Sequence, residues 1–294
     1  VPRKTFVAGE ILTALDVNTF LGDQAVMTFT DATERDAELP SPVEGMLIYR
    51  EDADVYEGWS GSAWVNVASI GAAGYRFVET VYFTSSGTFT KATYPWLRAI
   101  RVKVQGAGGG GGGVPASPLN ETAAGAGGGG GAYAEKFITD IAGLDASVTV
   151  TRGAGGTGGD GTAAATTGGN SSFGALQANG GGAGAQTAST STLAAALGGL
   201  GQTTTSGSPD FVAKGGDAPS GLAIGNSYAS SGAGGDSFLG TVSRARVATA
   251  GAVEGVAGSE YGGGGAGAMS GTSNNVLRNG GNGADGIVIV ELYA

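Results

Sequence analysis

The 294-residue chain contains no cysteine and no histidine. Without cysteine there is no disulfide framework, no thiolate nucleophile and no zinc ribbon. Without histidine there is no imidazole base and no common metal ligand, which removes the Ser/His/Asp and Cys/His hydrolytic schemes. Any catalysis would rest on carboxylates, Lys or Tyr. Proline is scarce at 8 residues, and the glycines fall in irregular clusters, so a collagen-like repeat is excluded. Charge is low as well: 14% charged against 41% hydrophobic residues is not the balance of a disordered chain. Basic residues are the minority, and the net charge of −10 argues against nucleic acid, whose phosphates reward Lys and Arg. Long apolar runs are missing. Nothing approaches the roughly 18 consecutive apolar residues of a membrane span. Val1-Pro2-Arg3-Lys4 leads into no apolar run of signal-peptide length. The expectation is a soluble protein, or part of a soluble assembly, with no membrane insertion, cofactor or metal.

What is abundant is glycine, 60 residues of 294, against a typical share of about 7%. It is unevenly spread. Residues 1–70 hold 5 glycines and a net charge of −8, whereas residues 71–294 hold 55 glycines and a net charge of −2. Two regions, 1–70 and 71–294, are therefore expected.

In the first region, residues 5–30 carry a helix signal: Thr13 can cap, and Leu15, Val17, Phe20 and Leu21 recur near helical spacing before Gly22. Ile11, Leu12, Phe20, Val26, Met27 and Phe29 are more apolar surface than so short a piece buries by itself. It either folds back on its own domain or docks onto another subunit. Residues 30–37 read as one or two helical turns with acidic residues at the positive N-terminal end, stopped by Pro40 and Pro42. Three short apolar stretches, 46–50, 55–59 and 63–67, alternate with polar turns and predict a three-stranded antiparallel meander. Trp59 and Trp64 flank its second turn and can pack across it. Glu51, Asp52 and Asp54 read as a solvated turn in preference to a cation site, since the spacing lacks the glycine and terminal glutamate of a calcium loop.

After a Gly/Ala/Ser linker at 69–74, strands are expected at 75–84, 87–90, 100–105, 132–139 and 147–152, with the last at 286–292. The segment Ile100–Gln105 alternates as a half-buried strand does, and the β-branched run Ile287–Val290 suits a strand covered on both faces. Glycine clusters lie between them. As flexible linkers they would leave strands too short to hold a core. The expected fold class is therefore mainly β: a small N-terminal helix and meander, then an antiparallel, sandwich-like glycine-rich domain with ordered glycine loops. One geometry open to those loops is polyglycine II, in which extended runs without Cβ atoms pair laterally.

These segments carry a resemblance. The strings GEILTALDVNTFLGDQAVMTF and DATERDAELPSPVEGMLIYREDADVYEGWSGSAWV, with the motif Pro-Ser-Pro-x-Glu-Gly, hairpin, Gly-Ser-Ala-Trp, resemble the start of minor tail proteins and tail fibres of tailed bacteriophages, especially those infecting actinobacteria. GTFTKATYPWLRAIRVKVQGAGGGGGG, GGGGGAYAEKFIT, SVTVTRGAGGTGGDG, GGNSSFGALQANGGGAG and GGNGADGIVIVEL resemble the glycine-rich domain of the same proteins, with 185–260 looser. The resemblance implies a virion protein of the tail or tail tip, usually a homotrimer. Residues 1–70 would attach to other tail proteins, and the glycine-rich domain would meet a host-surface glycan or protein. Loop-borne Tyr228, Tyr261 and Asn274 are the candidate receptor contacts.

Three motifs weigh less. Gly106–Gly111 follows a strand as a dinucleotide fingerprint does, but Pro115 and Pro118 sit where its helix belongs. Residues 280–288 fit a calcium β-roll nonapeptide, yet the copies are isolated, so Asp160, Asp236 and Asp285 read as turn residues. Arg98, Arg101 and Lys103 form a basic cluster beside Trp96, read as the solvent side of a strand in preference to an anion site. No enzyme is expected. The alternatives kept beside attachment are a tail-associated glycan depolymerase using paired carboxylates, and a purely structural or capsid-decorating fibre.

Overall fold

The computed structural model describes residues 11, 13, 26–67, 75–248 and 251–294. The helix expected within 5–30 and the linker at 69–74 fall almost wholly outside them. The chain divides into two compact units, Val1–Tyr75 and Arg76–Ala294.

In the first unit, Asp31 caps the helix Ala32–Glu38. Its carboxylate accepts from the amides of Thr33 and Glu34 at 2.7 and 2.9 Å, satisfying donors that the first turn leaves open. The strands Leu47–Arg50, Val55–Trp59 and Trp64–Asn66 form the antiparallel meander, and the Trp59 and Trp64 rings meet edge to face at 5.4 Å. The structure adds a strand. Met27–Phe29 pairs in parallel with Leu47–Arg50, making four strands and burying Phe29 beside Ile48. Part of the apolar surplus is thus absorbed within the unit, while Ile11 and Val26 stay exposed. In the polar turn, Asp52 pairs with Arg50 at 2.7 Å and Asp54 accepts the Tyr49 hydroxyl.

The second unit begins with two antiparallel five-stranded sheets. One has the order Phe211–Ala213, Tyr133–Ile138, Ala99–Gln105, Ile287–Tyr293, Phe77–Phe83. The other runs Thr204–Ser206, Leu176–Ala178, Ser171–Phe173, Ser147–Thr151, Gly87–Thr90. They share one core: Ile100, Val102, Val104, Val288, Val290 and Leu292 from the first, Phe89, Val148, Val150, Phe173 and Leu176 from the second. The alternation in Ala99–Gln105 and Ser147–Thr151 places every second side chain there. The strand Ile287–Tyr293 departs from expectation. It is central in its sheet, but only its inner face is fully covered. On its other face Ile287 is buried, whereas Ile289, Glu291 and Tyr293 stay partly exposed.

The glycine clusters are neither linkers nor separate loops. They are extended runs that leave the sandwich, cross a common lattice and return. Residues 106–113 show the rule. Gly106, Gly109 and Gly112 donate to the carbonyls of Ala132, Gly129 and Ala126. Ala107 and Gly110 donate to Gly169 and Thr166, and Gly108 and Gly111 to Ala284 and Gly281. Their own carbonyls accept in the same rhythm: Ala107 and Gly110 from Gly181 and Gly184, Gly108 and Gly111 from Gly156 and Gly159, Gly109 and Gly112 from Gly265 and Ala268. Every third residue faces the same neighbour, as three residues per turn requires, and each neighbour belongs to another run. This is polyglycine-II packing, and it answers the backbone accounting that a single run leaves open.

The same geometry dictates composition. A Cβ added at Gly109 would lie 2.0 Å from the carbonyl oxygen of Gly182, and at Gly112 1.9 Å from that of Ala185. The runs 106–113, 125–132 and 262–268 are buried throughout. Peripheral runs admit other residues on the outward third. In 153–160 the buried positions are Gly153, Gly156 and Gly159, and the exposed ones are Ala154, Thr157 and Asp160. Leu197 and Leu200, Lys214 and Asp217, and Asn279 and Asn282 repeat the pattern. Interruptions by Thr and Asn, and by exposed alanines such as Ala154, are therefore what the periphery of such a lattice looks like.

Candidate functional site

Runs that alternate in direction sort their connections between two ends. The run 106–113 leaves Ala99–Gln105 and 125–132 returns to Tyr133–Ile138, so residues 114–124 turn at the end remote from the sandwich. The connections 187–196, 221–230 and 269–278 turn there as well.

That end is closed by small sheets: Leu193–Ala196, Gly221–Ile224, Tyr228–Ser230 and Val247–Ala248 in one, Ala252–Val253, Met269–Ser270 and Ala123–Ala124 in another. Met269, Ala124, Ala223 and Ala229 are buried between them, with Val253 against the cluster. The turns are tied together by backbone and hydroxyl groups. Thr122 and Thr190 exchange amide bonds at 2.9 and 3.0 Å, and the Thr122 hydroxyl donates to the Gly225 carbonyl at 2.8 Å. Ser117 and Asn274 exchange amide bonds at 2.6 and 2.7 Å. Asn120 and Ser273 have positive φ, +63° and +60°, and Ser273 donates to the carbonyl of Pro118. The resulting face presents Leu119, Asn120, Asn226, Ser227, Asn275 and Val276 to solvent. It carries amides, hydroxyls and aliphatic groups, with few charges.

Two of the three candidate contacts belong to this face. Tyr228 opens the strand Tyr228–Ser230 opposite Ile224, and Asn274 sits in the bridge to Ser117. Tyr261 does not share it. Its carbonyl accepts the Ser237 hydroxyl at 2.5 Å, next to Gly262, whose Cα lies beside Gln105 and Gly106 where the lattice meets the sandwich. Leu119, Asn120, Asn226 and Asn275 share that face with Tyr228 and Asn274, and the alternation of run direction along the sequence is the signal that leads to them.

The lighter motifs resolve in place. Every amide from Gly106 to Gly112 is taken by a neighbouring run, so none is free to hold a phosphate. Asp160 does close its own turn, accepting from the amides of Thr162 and Ala163 and from the Thr162 hydroxyl. The Ala163 amide first, then the Thr162 groups, hold its carboxyl below the usual range. Asp285 departs from that reading: it reaches across to the Gly155 amide and pairs with Arg152. Among the described residues no group of three or more Asp or Glu side chains is placed to hold a metal.

The basic cluster lies on the open face of the first sandwich sheet. Arg101 sits between Glu135 and Glu291 at 3.6 and 3.9 Å, and Lys103 pairs with Glu291 at 2.5 Å. Burial opposes ionisation of Glu291, but bonds from Lys103 and Tyr293 outweigh it and hold the carboxyl below its ordinary 4.5. A depressed folded-state pKa contributes stability above the unfolded value, lost as pH falls through the folded one. We therefore expect Glu291→Gln to be destabilising at neutral pH, and its difference from the parent protein to shrink as pH falls below about 4.5. Urea midpoints measured across that range check it, and a difference that stays constant with pH would exclude the linkage.

These features define a mainly β protein in which a sandwich carries a polyglycine-II lattice with loops at its far end. The chain belongs to the glycine-rich domain family, whose model matches residues 84–293. No curated protein matches it.

Proposed function

We propose that the chain is an attachment protein, of the kind formed by bacteriophage tail fibres and minor tail proteins, and that its far-end loops bind an uncharged, hydroxyl-rich ligand such as a cell-envelope glycan. The observation that carries this is the far-end face itself. Asn, Ser and Thr side chains beside Leu119 and Val276 offer adaptable hydrogen bonds and apolar contact, mounted on a lattice that fixes where the loops start and stop. Residues 1–70 attach the subunit to its assembly. Trimeric copies on one particle convert weak single contacts into durable adhesion.

A depolymerase finds less support. Glycoside hydrolysis asks for one carboxyl held protonated beside an ionised one. Where Arg101 lies between Glu135 and Glu291, the bonds from Lys103 and Tyr293 hold the Glu291 carboxyl below its ordinary value, the opposite of what a general acid needs. A purely structural fibre would leave the loop chemistry unused.

Binding of the full chain to purified envelope glycans from a panel of actinobacteria tests the reading. Asn274→Ala and Tyr228→Ala should each weaken binding, and Tyr261→Ala should not. No binding by the parent chain, or equal losses from all three variants, would overturn it. The mass of the chain in solution tests the trimer.

A further inference from the structure

Peripheral runs lack some of the neighbours that buried runs have, and beside residues 279–285 the missing neighbour leaves a groove. This run donates at Gly280 and Gly283 to Gly159 and Gly156, and at Gly281 and Ala284 to Ala266 and Gly263. The remaining third of its amides, Asn279, Asn282 and Asp285, donate to no acceptor among the described residues. At about 3.1 Å per residue these donors repeat every ~9.3 Å. Asn279 and Asn282 line a groove of about 590 Å³ together with Gly280 and Gly281, with Thr157, Gly158 and Asp160 from one neighbouring run and Gly255 and Ala257 from another; Asp285 is not part of its lining.

Elsewhere the lattice closes open edges with side-chain oxygens. Asn170 caps the Gly180 amide, Asp217 caps Gly201, Asn282 caps Gly158 and Asp285 caps Gly155. The amides of Asn279, Asn282 and Asp285 have no such cap. Exposed amides such as those of Leu197 and Leu200 also lack one, but they lie on a ridge of bulky side chains and not between two flanking runs.

We propose that the groove seats one further extended strand, supplied by a glycine-rich segment of a separate partner. The three-residue donor period requires an acceptor carbonyl every third residue, which a polyproline-II strand provides. The lining alternates glycine and alanine with polar residues, and the donors recur every third residue, so the strand we infer has a Gly-Gly-X pattern with X outward. The lattice's own peripheral run 153–161 follows that pattern. A second folded copy is a poor source, because its runs are held by their own neighbours and turn their non-glycine residues outward.

The probe is the peptide acetyl-(Gly-Gly-Ala)4-amide, titrated into the full chain and followed by calorimetry and backbone amide shifts. Saturable binding that moves the amides of Asn279 and Asn282 is expected. Asn279→Pro removes one donor while keeping a φ suited to an extended run, and should weaken binding about tenfold. Ala257→Phe, which crowds the rim without touching the donors, should weaken it too. An all-proline peptide should not bind. Absence of binding at millimolar peptide, or binding by both variants as tight as by the parent chain, overturns the proposal. Self-association of the full chain that Asn279→Pro disperses also overturns it, because the occupant would then be a second copy.

Discussion

Gly109→Ala and Gly128→Ala should each destabilise the second unit by about 3 kcal/mol or more, whereas Thr157→Ala should change it by less than about 0.5 kcal/mol. A methyl at Gly109 would sit 2.0 Å from the Gly182 carbonyl oxygen, and one at Gly128 2.2 Å from that of Gly109. Both obstacles are backbone. No rotamer change relieves them, so a whole run must shift, and the shifted run takes its hydrogen bonds to other neighbours with it. Thr157 points outward on a peripheral run, where deleting atoms costs little. The cost belongs to position and not to residue type, since the lattice already takes buried methyls at Ala107, Ala126 and Ala266. Urea titrations of the three variants separate the cases. Similar midpoints for inner and outer substitutions would mean that the runs are not enclosed as described.

The strands were legible because their side chains alternate. Ala99–Gln105 and Ser147–Thr151 state both their period and their buried face. The helix start was legible in its acidic first turn, and Asp31 supplies the cap. Met27–Phe29 was not: three residues carry no period, and a parallel partner twenty residues on leaves no turn signal to read. Ile287–Val290 misled, because a β-branched run marks a central strand without saying which face is covered. The lattice was half legible. Non-glycine residues at every third position of 153–161 announce a threefold run with an outer face. Which runs are neighbours is written in backbone bonds alone, and glycine has no side chain to signal a partner. For the same reason composition and exposure could pick Tyr228, Asn274 and Tyr261 together. Only run direction, counted along the chain, separates the first two from the third.

Phe89→Ala should cost about 3–5 kcal/mol, a large share of a typical domain's stability. Phe89 is 2% exposed, stacks on Tyr94 at 5.6 Å and meets Phe173 at 5.5 Å. Its strand Gly87–Thr90 is an edge strand paired only with Ser147–Thr151, so the ring is the main tie between that edge and the core. The effect should not stop at the sandwich. The run 153–161 grows directly from Ser147–Thr151, and its amides at Gly156 and Gly159 donate into the central run at Gly108 and Gly111. An extended glycine run has no hydrogen bonds of its own and no side chains to bury. Its order therefore depends on neighbours whose ends the sandwich strands hold in register. Loosening the sandwich should release the lattice in the same transition. With Trp59→Phe and Trp64→Phe in place, Trp96, 5.9 Å from Tyr94, reports the sandwich by fluorescence, and hydrogen exchange at Gly109, Gly156 and Gly159 reports the lattice. In Phe89→Ala both should lose stability by the same amount. Undiminished protection at Gly109, with Trp96 destabilised, would instead make the glycine lattice a folding unit in its own right.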